Sequence, residues 1–436
     1  MLLYRIICKL GRFIRNPQPY IDVLRRRAIG HTLTIKLYRR CWLPLIVFKV
    51  RHKKRINVIF LAMNPAMWRY DGVYRRLAND KRFKPVIVTA MQNITDENLQ
   101  IKDQEEMLSY FKERGFSVIC GYNAIKREWI DLGTLNPDII FYTQPYDGVI
   151  ECSFEYYSHW GSLFCYTPYS FQLSETNWNW NNNLQQYCWK LFYVGGVQLK
   201  QCERFSRVGK QNVVSVGYCF EEEYEECLKC NNAVNDAWRN DNRKRIIWAP
   251  HHSIRDKEWI KVSSFLDIAD LMVKLREEYA DKIVFAFKPH PVLKTKLYNV
   301  WGQERTDAYY DDWAKSGSSF DAQGDYHALF AGSDAMIHCS GSFIVEYLYT
   351  GKPVAYVYSK IRNPPDIGLI GNTALDAHYP IYNEIDIRHF LDEVIFGGCD
   401  SMRVTRQKVV DKYLKSSNGK MFSENVFNSI VEGLRL

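Results

Sequence analysis

Apolar residues Leu2, Leu3, Ile6, Ile7, Leu10, Phe13 and Ile14 recur near helical spacing between Arg5, Lys9, Arg12 and Arg15. That periodicity predicts an amphipathic basic helix. A second basic stretch, Arg25 to Arg55, carries Trp42 and Phe48 as residues able to insert among lipid headgroups. Segments of this kind lie on anionic lipid and gain about 1 kcal/mol per Lys or Arg near the surface. The alternative is a solvated helical hairpin packed on the body. From Ile56 the pattern changes to short apolar runs separated by amphipathic segments, and the runs Asn57 to Met63, Lys84 to Met91, Phe116 to Cys120 and Asp138 to Tyr142 predict buried strands. Lys190 to Val194 and Val213 to Tyr218 continue the series.

Residues 221–242 turn polar and turn-rich, which marks a linker, and a second series opens at Arg245 with RIIWAP, KIVFAFKPHP, AMIHCSGS and PVAYVYS. Helical patterns lie between these runs, from Phe265 to Tyr279 and from Phe343 to Thr350. Strands alternating with helices imply parallel sheets. The expected fold is α/β, with two Rossmann-like domains facing a nucleotide cleft and a basic helical arm in front of them. The expected boundaries are a membrane-association arm over 1–55, an acceptor domain over 56–220, a nucleotide-donor domain over 221–400 and C-terminal helices over 401–436. Val426, Phe427, Ile430, Val431 and Leu434 stand at helical spacing in the last of these.

The chain has 436 residues, 47% of them hydrophobic and 25% charged, which excludes disordered and collagen-like classes. Its net charge of +9 is misleading, because residues 1–55 hold 15 of the 58 basic side chains and only one acid, Asp22. The body is therefore mildly acidic, unlike a surface that binds nucleic acid. The twelve cysteines are spread from Cys8 to Cys399 and read as reduced thiols. The longest apolar stretch of the arm, Cys41 to Phe48, is interrupted by Pro44 and is far short of the roughly 20 residues a spanning helix needs.

Chemistry concentrates at the ends of the second series of strands. In Ser333 to Val354 a strand runs into Ser340-Gly341-Ser342 and then a helix, so backbone N–H groups and two hydroxyls converge on a phosphate seat. Glu346, four residues after Ser342, is placed to accept hydrogen bonds from a ribose diol. Lys288-Pro289-His290-Pro291 ends one strand, and His251 with Arg255 follows another; both offer donors for phosphoryl oxygens. His251 and His252, adjacent in an extended segment, are expected to point in opposite directions, so no metal site and no cofactor are expected. His159, on a loop before the Tyr-rich run 166–171, is the natural general base for an acceptor hydroxyl. No GxxxxGK[ST] loop, HExxH helix or kinase signature is present.

The order APHHSIRD, FKPHP, SDAMIHCSGSFIVEYLYTGKPV resembles the nucleotide-binding half of the CDP-glycerol glycerophosphotransferases, the teichoic-acid primases and polymerases of GT-B fold, over roughly residues 150–360. The resemblance implies that His290, Ser340 and Ser342 bind the donor pyrophosphate, that Glu346 contacts ribose, and that His159 is the catalytic histidine. The chain departs from the family pattern where Trp160 splits the His-Gly pair, where PHHSIR replaces Pro-Thr-aromatic-Arg, and where His338-Cys339-Ser340-Gly341-Ser342 replaces Asp-Tyr-Ser-Ser.

The expected activity is transfer of a polyol phosphate, foremost glycerol phosphate from CDP-glycerol, to a hydroxyl of a lipid-linked or polysaccharide acceptor. His159 and His290 are the catalytic candidates, Arg255, Ser340, Gly341, Ser342, His251 and Lys288 the donor-phosphate residues, and Glu346 the ribose residue. The expected location is the cytoplasmic face of the cell membrane, held peripherally on anionic lipid. A GT-B glycosyltransferase using a nucleotide sugar is the rival enzyme, and a membrane-bound scaffold with a relic cleft the rival outside catalysis.

Overall fold

The structure, a computed structural model, describes residues 31–90, 97–173, 175–230, 237–239, 241–254, 262–316, 319–320, 326–359 and 367–436. The helix expected over the first fifteen residues, and Arg255, lie outside these residues.

The chain divides into two compact units. The first comprises residues 1–169, 176–216 and 420–436, the second 170–175 and 217–419. These limits differ from the expected breaks at 220/221 and 400/401. The stretch expected as a linker begins with a helix, Cys219–Leu228, that buries Cys219, Phe220 and Tyr224 among its acidic residues and belongs to the second unit. Gly217 just before it has φ +82°, the left-handed conformation glycine adopts without a Cβ penalty.

Unit 1 is built on a seven-stranded parallel sheet. Its strands are β1 (Ile56–Ala62), β2 (Phe83–Thr89), β3 (Val118–Ile119), β6 (Ile139–Tyr142), β7 (Leu163–Tyr166), β8 (Lys190–Tyr193) and β9 (Val213–Ser215), in the order β3-β2-β1-β6-β7-β8-β9. A separate antiparallel pair is formed by β4 (Tyr122–Asn123) and β5 (Glu128–Trp129). The central strands are apolar on both faces, as a sheet covered on both sides requires. Pro85, which has no N–H, sits in β2 ahead of the two residues that pair with β3, so it removes no ladder bond there. Phe60 and Phe141 stack across β1 and β6 with ring centroids 4.5 Å apart.

Residues 31–51 form continuous helical structure that enters β1 and docks on this unit. Ile35, Ile46 and Val50 are buried, and Tyr38 meets Trp160 and Tyr187 edge-on at 5.3 and 5.2 Å. Arg39 Nη1 donates to the Cys188 carbonyl at 3.0 Å. The second half of the expected arm is thus one side of the first unit. The C-terminal helix Phe422–Leu434 also belongs here; a Cβ at Gly433 would come within 2.6 Å of Trp189, so the close approach requires glycine.

Unit 2 carries a six-stranded parallel sheet. Its strands are β10 (Lys244–Ala249), β11 (Ile283–Phe287), β12 (Ser319–Phe320), β13 (Ala335–His338), β14 (Val354–Val357) and β15 (Tyr379–Ile381), ordered β12-β11-β10-β13-β14-β15. Trp248, Phe265, Phe287, Tyr309 and Trp313 dominate the core on one face. Arg276 lies over Trp313 at 4.8 Å and pairs with Asp312 at 2.8 Å, so its charge is matched where its stem is buried. The order reverses beside β10: the chain moves from β10 to β11 on one side and later from β13 to β14 on the other. Open sheets of this kind bind ligands at that switch point, beyond the carboxyl ends of the strands.

Candidate active site

The carboxyl ends of β10, β11 and β13 are joined by backbone hydrogen bonds. Lys288 N–H donates to the Trp248 carbonyl at 2.8 Å, His290 N–H to Pro250 at 3.1 Å, and Cys339 N–H to Ala249 at 3.4 Å. The Cys339 thiol accepts the His251 N–H at 3.4 Å. These bonds bring the loops bearing His251, His290 and Ser340 to one edge of the second unit.

At that edge His338 ends β13, and its Nδ1 accepts the Ser340 N–H at 3.1 Å. The next three N–H groups, of Gly341, Ser342 and Phe343, and the hydroxyls of Ser340 and Ser342 make no hydrogen bond among the described residues. Ser342 is helical itself and does not cap the helix with its side chain. Gly341 is not in the left-handed region, and a Cβ there would meet no atom of the described residues within 4 Å, so among these residues open space lies in front of this turn.

The histidines depart from expectation. Ring centroids of His251 and His252 are 4.2 Å apart, and His290 lies 4.2 Å from His252 and 5.3 Å from His251. The opposite orientation expected of neighbours holds only in a strand. Here β10 has ended at Ala249, and Ile254 N–H turns back to the His252 carbonyl at 2.9 Å. One ring nitrogen from each of the three lies within 4.8 Å of the others, a grouping that in outline could hold a metal ion. Burial, then the neighbouring His252, pushes the His251 pKa far below its ordinary value and that of His290 down to about 3. Both are therefore neutral hydrogen-bond donors near pH 7.

Lys288 is buried with its ammonium 5.3 Å above the Tyr326 ring. The Tyr326 hydroxyl in turn donates to Glu346 Oε2 at 2.8 Å, and Tyr218 donates to Oε1 at 2.6 Å. The Glu346 carboxylate is thus engaged on both oxygens and its residue is 1% exposed, so the ribose contact expected of it is not open in this arrangement. Tyr218 and Tyr326 have no local signal in sequence, since Tyr218 stands 128 residues from its partner. Lys352 ends the following turn by donating to the carbonyls of Phe330 and Ala331 at 3.1 and 2.6 Å, a helix-end role.

In the first unit His159 closes the 3-10 turn Tyr156–Ser158 and lies two residues before Gly161. Its Nε2–H donates to the Ser153 carbonyl at 2.7 Å, which leaves the Nδ1 lone pair on the neutral ring. Burial lowers its pKa. Four residues earlier, burial raises the Glu155 carboxyl to about 8 although it accepts the Gly148 N–H at 2.8 Å.

A sequence profile described as CDP-glycerol:poly(glycerophosphate) glycerophosphotransferase matches residues 204–432. No curated protein sequence matches the chain. Among solved structures, a histidine-to-asparagine variant of the wall teichoic acid polymerase TagF is similar at 13% identity over 98% of both chains, with a TM-score of 0.60. A histidine-to-alanine variant of the same polymerase aligns at 12% identity over 96% of this chain and 98% of that one, with a TM-score of 0.61. The UDP-GlcNAc 2-epimerase of Neisseria meningitidis bound to UDP-GlcNAc aligns at 12% identity over 87% of this chain and all of that one, with a TM-score of 0.53. At these identities the likeness is one of fold, the GT-B class with two Rossmann-like α/β units. The profile spans more than half of the chain and every strand end described above, and by that match this transferase belongs to the CDP-glycerol:poly(glycerophosphate) glycerophosphotransferase family.

Proposed function

We propose that the protein transfers glycerol phosphate from CDP-glycerol to a hydroxyl of a lipid-linked or polysaccharide acceptor at the cytoplasmic face of the membrane. The observation that carries this reading is the stitching of three neighbouring strand ends, with His251, His290 and the unpaired N–H groups after Ser340 at one edge. A diphosphate needs such a set of neutral and backbone donors, and phosphoryl transfer is catalysed chiefly by positioning and by stabilising developing charge. The acceptor oxygen attacks the β-phosphorus, the bond from that phosphorus to the bridging oxygen breaks, and CMP leaves with the electron pair. The acceptor proton goes to Nδ1 of His159. His290, His251 and the Ser340 to Ser342 turn hold the oxygens of the two phosphates, Lys288 adds positive charge to them, and Arg255 is the further candidate that the sequence offers for this role.

Attachment to the membrane surface draws support from the helix over residues 31–51. Leu33, Leu37, Trp42, Leu45 and Phe48 are all exposed, beside exposed Lys36, Arg40 and Lys49. Among the described residues no helix is long and apolar enough to cross a membrane.

The test is incubation of the full chain with CDP-glycerol and a glycerophosphate-primed acceptor. Release of CMP together with incorporation of glycerol phosphate is the expected result. Consumption of a UDP-sugar with no turnover of CDP-glycerol would replace this reading with the glycosyltransferase one.

A further inference from the structure

The three clustered histidines share a hydrogen-bonding pattern that decides what they can hold. Ser253 Oγ accepts the N–H groups of Val262 at 3.1 Å and Ser263 at 3.2 Å, so its own proton points to His251 Nδ1 at 2.9 Å. The Ser253 N–H donates to the same Nδ1 at 3.2 Å. His290 Nδ1 accepts the Val292 N–H at 3.2 Å. His252 Nδ1 lies 2.7 Å from Lys296 Nζ, an ammonium that can only donate. In all three rings Nδ1 is an acceptor, so the single proton of each neutral imidazole is on Nε2.

That arrangement opposes metal binding. A metal-ligating imidazole offers the lone pair of one nitrogen and donates the N–H of the other to a carbonyl or carboxylate. Here the second nitrogen is already taken as an acceptor, and the remaining one carries hydrogen. Lys288 and Lys296 both act on His290 by charge, and two ammonium groups repel a divalent cation while they attract phosphate. One ring nitrogen from each histidine lies within 4.8 Å of those of the other two, close enough together for one oxygen to be shared by three donors, which stand roughly 4.6 Å apart when each is about 2.8–2.9 Å from it.

We propose that His252, its proton held on Nε2 by Lys296, is a third neutral donor to the phosphoryl group and completes with His251 and His290 an oxyanion cage that works without metal. Lys296 is then a positioning residue: it touches the imidazole, not the substrate. The inference rests on the donor reading above and adds to it two residues, His252 and Lys296, and a proton arrangement.

The test is histidine 15N NMR of the full chain, with signals assigned through single His→Gln variants. It reads tautomers whether or not the protein turns over. The expected spectrum shows the Nε2–H form for His251, His252 and His290, and inorganic pyrophosphate or CDP shifts all three together. Lys296→Met is expected to convert His252 alone to a tautomer mixture, and Lys296→Arg to restore the wild-type form. In turnover, His252→Leu is expected to lower kcat with CDP-glycerol by about 10²-fold, the loss seen for one donor to a developing oxyanion. An Nδ1–H form of His252 in the wild type would overturn the proposal, as would micromolar zinc that shifts the three rings and raises activity. Pyrophosphate shifts without any turnover of CDP-glycerol would leave the cage standing and overturn the donor reading instead.

Discussion

His338 and Ser340 are locked to each other by a hydrogen bond in which the buried imidazole Nδ1 accepts the serine N–H at 3.1 Å. The ring is fully buried, and burial, followed by the nearby His378, drives its pKa far down, so it acts as a neutral acceptor. The bond orients the turn whose next three N–H groups are left unpaired. Replacing His338 by Ala removes the ring and strands the serine N–H, which together should cost about 2–4 kcal/mol. Urea unfolding measures that loss, and isothermal titration with CDP should show weakened binding in the variant that remains folded. Unchanged affinity would mean that the turn keeps its shape without the histidine.

Acid should destabilise the second unit through its buried histidines. His378 Nδ1–H donates to the Ala374 carbonyl at 2.7 Å, and burial lowers its pKa from 6.5 to about 3. Above pH 6.5 the ring is neutral in both folded and unfolded chains and contributes no pH dependence. Below 6.5 the unfolded chain takes up a proton that the folded one refuses, so stability falls progressively until the pH reaches the folded value. For His378 alone the loss at pH 5 is about 2 kcal/mol. Unfolding free energies at pH 7.5 and pH 5 should differ by that much less in His378→Asn than in the wild type. An equal pH dependence in both proteins would assign the acid sensitivity to other groups.

The pattern of apolar runs located most of this architecture for a physical reason: a strand buried on both faces has to be apolar throughout. The runs at β1, β6, β10, β11, β13 and β14 have that character. β7 was hidden because LFCY runs straight into a Tyr-rich stretch that reads as loop, and β15 because it is three residues long with Pro380 in the middle. Site geometry was less legible. His251, His290 and Ser340 follow visible strands, so their common edge could be anticipated. The facing of His251 and His252 depended on where β10 stops, which the apolar run RIIWAP does not mark. Glu346 was expected to face a ribose diol from its helical spacing after Ser342, whereas Tyr218 and Tyr326, which take up its two oxygens, stand 128 and 20 residues away with no pattern linking them to it.

Gly341 separates ligand binding from folding. Its backbone is not in the left-handed region, and a Cβ there would meet no atom of the described residues within 4 Å. Gly341→Leu should therefore keep the melting temperature of the wild type. The added side chain would occupy the space before the unpaired N–H groups and raise the KM for CDP-glycerol about tenfold, roughly 1.4 kcal/mol. Thermal melts and steady-state kinetics on the same preparation check both halves. A variant that melts early without any change in KM would show that this space belongs to the fold.

Along the helix over residues 31–51, buried and exposed apolar residues have different work. Ile35, Tyr38, Ile46 and Val50 hold it to the first unit, while Leu37, Trp42, Leu45 and Phe48 are more than half exposed. Burial against protein accounts for the first set, and a lipid surface would account for the second, since the flanking Lys36, Arg40 and Lys49 suit anionic headgroups. Leu45→Ser and Phe48→Ser should leave unfolding unchanged and weaken binding to phosphatidylglycerol vesicles by about tenfold or more each, given about 1.5–3 kcal/mol for a fully buried side chain of this size. Co-sedimentation at rising salt reads the basic contribution separately, because screening weakens charge attraction and leaves apolar insertion in place. Vesicle binding that survives both substitutions would place the attachment elsewhere than on this stripe.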